Sequence, residues 1–584
     1  MRTLVASQQR VAACTARRVL VLAGAGTGKT TTCVAWAARR IAEGVNPDRL
    51  LLITFTRRAA SEMRHRIAEE TKAKVSTHTF HSFATAVLRS HPQVFGGERF
   101  TILDEEDSKL LYRRAARSLN LGKEFPAAHF SAIISRERNF MRPIGSSGSG
   151  SVEQMVTVKL HRAYSLLKEQ SNVLDYDDLL ERLLGGLRTH RPFAAAIRAR
   201  FSHVLVDEVQ DNNPLNYEIL RAMNPAHLVC VGDRCQSIYG FRAADPSLLD
   251  RFREDNPDVK VFRLEDNFRS GRRILSLANH LTAEMPDGLT LSSALQTPAA
   301  LHLIRPADPQ HEAALAAEDI ARLLVRGVQA GDISVLCRTS RGTTALEGAL
   351  SMRGVALRKY GGQSLADSGE IRDLTAVLRA ALNPQDRPAL ERVLRMYPGV
   401  GAVVAERSAA KMKPAAEAAR AAFDLVSLVR PRLNDPSLLG ELPGLLAPLL
   451  HKNYDDPSAR LINVTQVCHS FQGAQPAKLL DAFATDALKM VGPSGDAVSV
   501  STIHSAKGLE WKHVWIIGAG DLQIPHPRSR SPRAIDEERR LLYVAVTRAK
   551  ERLVLSAPVI LPDRGTQSPT RFIAEDVQWQ RVAA

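Results

Sequence analysis

Short apolar runs alternate with amphipathic stretches near the N-terminus. Apolar residues 19–22 end in a Gly-rich turn, and a helical pattern follows from residue 29 to about residue 41. Apolar residues 50–55 are followed in the same way by a helical pattern over about residues 58–69. Buried strands that alternate with helices are typical of a parallel α/β sheet. The N-terminal segment is therefore predicted to begin an α/β domain.

This alternation stops near Phe83, and a long helical segment follows. Residues 84–200 show mostly amphipathic helical periodicity. They contain a Gly/Ser run at 145–151, a flexible linker by composition, which is either a natural loop or an engineered replacement for one. Strand patterns return at residues 203–206 and 227–231. A helical insertion is therefore predicted to interrupt the first α/β domain.

A second α/β pattern occupies the rest of the chain, and no tandem repeat is present. It begins with strands at 301–304, 333–337 and 357–360 and a helix at 370–382, and it resumes with strands at 498–503, 514–517 and 552–555 and a helix at 536–546. Residues 383–497 between these parts are again helical in pattern and rich in Ala, Leu and Pro. The predicted domains are 1–84 with 201–264, its insertion 85–200, 265–382 with 498–584, and its shorter insertion 383–497.

Charge and cysteine content narrow the classes of partner and compartment. The 584 residues include 78 Lys and Arg against 62 Asp and Glu, so the formal net charge is +16. This excess favours a polyanionic partner, which is nucleic acid or alternatively an anionic membrane surface, although charge alone also fits a basic protein without one. No apolar run approaches the ~20 residues of a membrane-spanning helix, and no signal-peptide core is present. Six scattered cysteines without zinc spacing favour a reducing cytoplasm and no structural metal.

A phosphate-binding loop is predicted at residues 23–30 (AGAGTGKT), between a strand and a helix. Backbone N–H groups of such a loop wrap phosphates, and the helix N-terminus adds positive partial charge. Lys29 is expected to reach the β- and γ-phosphates, and the Thr30 hydroxyl to bind Mg²⁺. The alternative is a Gly-rich turn without a ligand. The predicted nucleotide contacts are Ala23, Gly24, Ala25, Gly26, Thr27, Gly28, Lys29, Thr30 and Thr31.

Two adjacent acids follow the strand at 203–206. Asp207 is the candidate Mg²⁺ ligand, and Glu208 is the candidate general base near the attacking water. An Asp-Glu pair in isolation is usually a solvated loop. Here the pair follows a buried strand and a phosphate-binding loop, which favours the catalytic interpretation.

Further segments, taken together with these two, give the chain a family resemblance. They are TFTRRAA at 54–60, TFHSF at 79–83, VDEVQD at 206–211, VGDRCQSIYGFR at 231–242, LEDNFRS at 264–270, TIHSAKGLE at 502–510 and EERRLLYVAVTRA at 537–549. In this order they resemble the motifs of the UvrD/Rep family of superfamily 1 DNA helicases over nearly the whole chain. The resemblance implies two RecA-like P-loop NTPase domains, 1A and 2A, with mainly helical insertions 1B and 2B.

The resemblance also implies roles for side chains around an ATP molecule bound between the two domains. Gln8, or alternatively Gln9, and the ring of Phe268 are expected to hold adenine, and Gln236 to sense the γ-phosphate. Arg269 and Arg548 are expected to act across the cleft as arginine fingers. Glu510 is expected near the ribose or the γ-phosphate.

Aromatic and basic residues in the same motifs are expected to contact DNA. Phe55, Tyr239 and Phe241 are candidates for stacking on bases, although Phe55 is alternatively a core residue of the first domain. The candidate backbone contacts are His81, Arg242, His504 and Lys507. Residues 397–401 (YPGVG) resemble a helix–hairpin–helix turn that presents N–H groups to duplex phosphates, or they form an ordinary interhelical turn.

These features predict an ATP- and Mg²⁺-dependent DNA helicase that moves 3′→5′, with a role in DNA repair, replication or recombination. The direction comes from the family resemblance alone. The expected partners are single-stranded DNA and single/double-strand junctions, with the protein acting as a monomer or weak oligomer. The short second insertion keeps two alternatives open: a translocase that strips proteins from DNA, and a DNA-dependent ATPase subunit that works with a partner such as a defence-system nuclease.

Overall fold

The computed structural model describes the chain except for residues 1–3, 96–99, 123, 148–149, 297–298, 340–342, 361–367, 455, 472–474, 477–478, 481–495, 562–563, 574–577 and 583–584. Part of the Gly/Ser run, residues 148–149, therefore lies outside the described chain. In the described part, no helix is long and apolar enough to cross a membrane.

The strands form two large parallel sheets and three two-stranded ones. In chain order they are β1 Arg18–Ala23, β2 Leu50–Ile53, β3 Ser76–His78, β4 Thr101–Ile102, β5 Val173–Leu174, β6 His203–Val206, β7 His227–Gly232, β8 Lys260–Leu264, β9 Asp266–Asn267, β10 Ser292–Ser293, β11 Ala300–Arg305, β12 Ile333–Cys337, β13 Leu357–Tyr360, β14 Val498–Thr502, β15 Trp511–Ile516, β16 Ala549–Ser556, β17 Ile560–Leu561, β18 Gly565–Thr566 and β19 Gln580–Arg581.

The helices surround these sheets and form two separate helical units. In chain order they are α1 Ala6–Ala13, α2 Lys29–Ala42, α3 Arg57–Thr71, α4 Phe80–Ser90, α5 Glu105–Ser118, α6 Ala127–Asn139, α7 Ser151–Gln170, α8 Tyr176–Thr189, α9 Arg191–Arg200, α10 Pro214–Met223, α11 Leu248–Asp255, α12 Arg272–Thr282, α13 Pro309–Val325, α14 Thr344–Ser351, α15 Gly369–Leu382, α16 Arg387–Arg395, α17 Ala402–Lys411, α18 Arg420–Val429, α19 Leu438–Asn453, α20 Pro457–Ser470 and α21 Pro532–Val546. Single 3₁₀ turns include Val209–Asp211, Arg234–Gln236 and Gly240–Arg242.

The first large sheet has the order β3-β2-β6-β7-β1-β8, and all its strands are parallel. Successive side chains of a strand point to opposite faces, and β1 follows this rule because Leu20 and Leu22 enter one core while Val19 and Val21 enter the other. Helices cover both faces of the sheet. Burial on both faces explains why the inner strands β2, β6, β7 and β1 are mostly apolar in the sequence, whereas the edge strands β3 and β8 are not.

The second large sheet has the order β13-β14-β12-β15-β16-β11-β19 and is also parallel. Helices α12 and α21 pack on one face, and α13 and α14 pack on the other. The core on the α12/α21 face also contains Ala25 of the phosphate-binding loop, together with Cys235 and Ile238 of the first domain. The two α/β domains therefore meet in a common apolar contact beside this loop.

The packing divides the helical segments differently from the sequence pattern. Helices α5, α6 and α7 share a core of their own, whereas α8 and α9 pack on the first sheet through residues such as Leu183 and Phe193. Helix α15 packs with α16–α20 through Leu374 and Val377. Helix α15, which precedes the predicted boundary at residue 383, thus packs with the second helical unit, because its apolar residues share a core with α16–α20.

Candidate active site between the two sheets

The phosphate-binding loop connects the end of β1 to the start of α2. Gly26 and Gly28 have φ angles of 71° and 79°, in the left-handed region where only glycine is unstrained. A Cβ atom at Gly26 would also lie 2.6 Å from the Asn267 Nδ2 atom of the second domain. The Thr27 hydroxyl donates to the Gly24 carbonyl at 2.9 Å and closes the turn. These backbone angles and contacts define the conformation of the loop.

Lys29 and the paired acids converge at one end of the first sheet. The Lys29 Nζ atom donates to the Ala23 carbonyl at 3.3 Å and lies 4.0 Å from the Glu208 carboxylate. Asp207 follows β6, and its N–H donates to the Ile53 carbonyl at 2.8 Å. Thr30 and Thr31 lie half-buried in the first turn of α2. The structure therefore brings a cation, two carboxylates and a hydroxyl to one edge of the sheet.

Burial and neighbouring charges shift the pKa values of Asp207 and Glu208 in opposite directions. Burial raises the pKa of Asp207 to about 7, and the charge of Glu208 adds to this effect. Burial would also raise the pKa of Glu208, but Lys29 and Lys507 hold it below its ordinary value. The pair thus combines an ionised candidate base with a carboxyl that a divalent cation would keep ionised. Carboxylate and hydroxyl oxygens are ligands that suit Mg²⁺, so Asp207 and Thr30 fit that ion.

The second domain places three consecutive residues directly against the phosphate-binding loop. The Asn267 side chain donates to the Ala25 carbonyl at 2.6 Å, and the Phe268 N–H donates to the Gly26 carbonyl at 2.9 Å. The Phe268 ring is 41% exposed, which leaves a face open for stacking. Arg269 follows, and its guanidinium pairs with Glu510 at 2.6 Å and donates to the Thr547 carbonyl.

Arg548 carries a buried positive charge without an acidic partner. Its guanidinium donates to the carbonyls of Val544 at 2.8 Å and Leu509 at 3.0 Å, and no carboxylate of the described chain lies within ion-pair distance. Burial, together with the nearby charge of Arg269, lowers its pKa to about 9. Glu510 does not neutralise it because its carboxylate is held by Arg269 and Lys550, which bring its pKa down to about 2 against the effect of burial. An anion in the cleft would supply the missing charge.

The two N-terminal glutamines occupy different environments. The Gln8 side chain is buried, donates to the Thr27 carbonyl at 3.0 Å and accepts from the Val5 N–H at 3.3 Å. The Gln9 side chain is exposed and donates to the Leu4 carbonyl. Of the two, Gln8 is the one that contacts the phosphate-binding loop.

Asp233, Gln210 and Tyr543 were not singled out from the sequence, yet they surround the predicted γ-phosphate sensor, Gln236. Gln236 is buried, and its side chain donates to the Asp233 carboxylate at 2.6 Å. The Asp233 N–H donates to the Gln210 carboxamide at 3.0 Å, and the Gln210 amide donates to Glu208. Tyr543 of α21 reaches the same cluster. All of these residues lie inside the quoted motifs, so motif membership was the available signal, but only the fold joins them.

A row of rings runs along the cleft next to this polar cluster. The Phe55 and Tyr239 rings are stacked with centroids 4.8 Å apart, Phe241 lies 5.9 Å from Tyr239, and His504 lies 5.6 Å from Phe241. We call these four residues the aromatic row. Phe55 is half-buried and belongs to neither core of the first sheet, and Phe241 is 69% exposed. The row combines residues from both domains.

The candidate backbone contacts differ in their surroundings. Arg242 is exposed, with its guanidinium 5.9 Å from the Phe241 ring. His81 has a ring contact with Tyr176 at 5.6 Å. The Lys507 side chain is largely buried, and its Nζ atom contacts Asp211 and the Gln236 carbonyl and lies 5.1 Å from the Tyr239 ring. In this arrangement the Lys507 ammonium links the two domains and does not face an open surface.

Residues 397–401 connect α16 and α17 in the second helical unit. Gly399 has a φ of 79°, the Val400 N–H donates to the Tyr397 carbonyl at 3.3 Å, and Gly401 caps α17. Both glycines are exposed while Val400 is buried. The turn therefore presents its backbone to solvent at the start of a helix.

Comparison with known proteins divides the chain into nearly the same two parts as the two large sheets do. A model of the UvrD/REP helicase N-terminal domain matches residues 4–257, and a model of the UvrD-like helicase C-terminal domain matches residues 262–418 and 460–559.

Relatives extend this similarity to almost the whole chain. The ATP-dependent DNA helicase UvrD1 of Mycobacterium tuberculosis is 32% identical, over 97% of this chain and 84% of that protein. The DNA helicase II of Escherichia coli is 30% identical, over 97% and 86%. The ATP-dependent DNA helicase PcrA of Staphylococcus epidermidis is 28% identical, over 95% and 84%. With its two parallel sheets and the cleft between them, the chain belongs to the UvrD/REP helicase family.

Proposed function

We propose that this protein is an ATP- and Mg²⁺-dependent DNA helicase that moves 3′→5′ along single-stranded DNA and acts at single/double-strand junctions in DNA repair. The observation that carries the proposal is the buried guanidinium of Arg548, which has no acidic partner in the described chain and whose charge helps to lower the pKa of Glu208 in the first domain. Charge that develops on a transferred phosphoryl group is what such a guanidinium stabilises. The direction and the repair role rest on the family resemblance, and the helicase activity is supported by relatives that are named DNA helicase.

At the ATP site, each group has a role that suits its environment. Lys29 and the loop amides bind the phosphates, with Thr30 and Asp207 as ligands of Mg²⁺, which would offset charge on the phosphates. Glu208, kept ionised by Lys29, accepts a proton from the attacking water. Arg548 and, once released from Glu510, Arg269 stabilise the transition state from the second domain. Phe268 stacks on adenine through its exposed face. Gln8 stabilises the phosphate-binding loop through its hydrogen bond to the Thr27 carbonyl.

On the DNA side, the aromatic row supplies stacking surfaces without base preference. Its contact with Lys507 connects the row to Asp211, whose N–H donates to the Glu208 carbonyl at 3.0 Å. Movement of nucleobases along the aromatic row would therefore shift the loop that carries Glu208, the candidate general base. The exposed turn at 397–401 is the candidate contact for the duplex ahead of the motor.

The experiment that tests this function is strand displacement on two matched duplexes, one with a 3′ tail and one with a 5′ tail, in the presence of ATP and Mg²⁺. We expect displacement of the 3′-tailed duplex only, and none with Lys29→Ala protein. Displacement of only the 5′-tailed duplex would overturn the direction. Absence of both displacement and DNA-stimulated ATP hydrolysis would overturn the function itself, whereas hydrolysis without displacement would leave a translocase.

A further inference from the structure

Tyr543 is a second-domain residue that contacts both the phosphate-binding loop and the loop after β7 in the first domain. It lies in α21 and is buried on all sides. Its hydroxyl accepts a hydrogen bond from the Ala25 N–H in the phosphate-binding loop at 3.3 Å. The same hydroxyl donates to the Asp233 carboxylate at 3.3 Å. Burial and the charge of Asp233 raise the pKa of Tyr543 well above its usual value, so the hydroxyl keeps the proton it donates.

Asp233 connects Tyr543 by hydrogen bonds to Gln236 and, through Gln210, to Glu208. One of its carboxylate oxygens, Oδ2, accepts from both the Tyr543 hydroxyl and the Gln236 side chain. Its backbone N–H donates to Gln210, which in turn donates to the Glu208 carboxylate. A continuous chain of hydrogen bonds therefore runs from α21 of the second domain to the candidate γ-phosphate sensor and the candidate base.

We infer that the Tyr543 hydroxyl is a positioning group that holds the Asp233–Gln236–Gln210 cluster in its working orientation only when the two domains are closed. This inference deepens the proposed function and rests on it. When α21 moves away, the Oδ2 atom of Asp233 loses one of its two donors, and Gln236 loses a fixed partner. Hydrolysis is thereby tied to closure through a side chain that touches neither the water nor the phosphates being cleaved.

Two features favour a positioning role over a purely structural one. The Tyr543 ring belongs to the apolar core on the α12/α21 face, and that packing needs no hydroxyl. The hydroxyl is instead directed at a loop amide and a carboxylate of the other domain. Tyr543→Phe keeps the ring and removes only these two contacts, so the variant separates the two roles.

The test is steady-state ATP hydrolysis with saturating single-stranded DNA, comparing wild-type protein with Tyr543→Phe. We expect kcat to fall about tenfold with KM for ATP nearly unchanged, since a hydrogen bond to a charged group is lost from the reacting arrangement and not from nucleotide binding. Tyr217→Phe is the matched control, because its hydroxyl donates to Asp255 at 2.8 Å away from the cluster. That control should hydrolyse ATP like wild type.

A double-mutant cycle with Gln236→Ala distinguishes coupling from general damage. If Tyr543 acts through Gln236, the double variant should lose little more kcat than Gln236→Ala alone. If Tyr543→Phe folds poorly, Asp233→Asn serves as a second variant that alters the same hydrogen bond. We expect it to lower kcat to a similar extent. Unchanged kcat in Tyr543→Phe, or losses that multiply in the cycle, would overturn the inference. Absence of hydrolysis in the wild type would instead contradict the proposed function.

Discussion

The ionisation of individual side chains around the cleft is set by burial together with one or two neighbouring charges. Glu208 stays ionised because Lys29 and Lys507 outweigh its desolvation, whereas Asp207 beside it is shifted towards neutrality. Arg548 has carbonyls for partners and no acid in the described chain. At this scale the site is a set of uncompensated or finely balanced charges, which is what pKa perturbation at functional sites usually reflects.

Removing the candidate base should separate turnover from binding. We expect Glu208→Gln to lower DNA-stimulated kcat by at least ~100-fold, because the amide cannot accept the proton of the attacking water. Affinity for single-stranded DNA should remain within about twofold, since Glu208 lies off the aromatic row. The measurement is hydrolysis kinetics together with fluorescence anisotropy on a labelled oligonucleotide. Near-normal hydrolysis would contradict the assignment of the base.

A buried glutamate away from the cleft should give the stability of the second domain a pH dependence. Glu312 accepts from the Gly518 N–H at 2.9 Å and from the Ser556 hydroxyl, and burial raises its pKa to about 7 against those bonds. Between the unfolded pKa near 4.5 and the folded pKa near 7, the unfolded chain releases a proton that the folded protein retains, so stability falls as pH rises. We expect Glu312→Gln to remove about 1 to 3 kcal/mol of this loss at pH 8.

Thermal unfolding at pH 5 and pH 8 measures this difference. The advantage in Tm of Glu312→Gln over wild type should grow between the two pH values. Glu318→Gln, on the exposed side of the same helix, serves as the control and should follow wild type. An equal gap at both pH values would show that Glu312 is ionised in the folded protein.

Secondary-structure elements place these charges through the loops at the ends of parallel strands. The loop after β6 carries the paired acids and Asp211, the loop after β7 carries Gln236 and the exposed rings, and the loop after β14 carries His504 and Lys507. Lys507 joins the three because it contacts Asp211 and the Gln236 carbonyl and lies over Tyr239. Parallel strands bring the loops after β6 and β7 to one edge of the first sheet, and the loop after β14 meets them from the second sheet.

Removing one partner of the Lys507–Asp211 ion pair should lower the stability of the protein. We expect Lys507→Met to destabilise the protein by about 3 to 5 kcal/mol, because Asp211 is fully buried and would lose its cation. Adding Asp211→Asn should restore most of that loss. Calorimetric unfolding of the two single variants and the double variant measures the coupling. Losses that simply add would show that the pair is not the reason for the destabilisation.

The whole molecule consists of two α/β domains whose cleft is framed by helical units. Those units are linked by a buried polar contact in which Arg379 of α15 pairs with Asp107 of α5 and with Asp386, the latter at 3.0 Å. The net charge of +16 is distributed over this assembly and favours nucleic acid as a partner.

Binding of single-stranded DNA should therefore depend steeply on salt. About four phosphate contacts, each releasing counterions, would weaken binding roughly 50-fold between 50 and 200 mM salt. Titrations of a labelled oligonucleotide at several salt concentrations give the slope directly. A flat dependence would mean that stacking on the aromatic row dominates and that the basic excess lies away from the DNA.

The sequence by itself predicted most strands of the two large sheets, the phosphate-binding loop and the order of the motifs, but it did not predict the edge strands β3, β8 and β19. These features are local: a buried parallel strand needs a continuous apolar run, and the left-handed turns at Gly26 and Gly28 need glycine. The family resemblance then supplied the two-domain fold, which the sheets of the structure and the comparisons confirm.

Only the tertiary structure decided which of the motif residues act together. It placed α15 with the second helical unit, directed Lys507 inward to Asp211, gave Arg548 no acidic partner among the described residues and joined Tyr543 to Asp233. Each of these depends on contacts between residues hundreds of positions apart, and hydrophobic periodicity carries no information about such pairs. A side chain's charge and partners follow from burial and neighbours, which exist only once the two sheets have packed against each other.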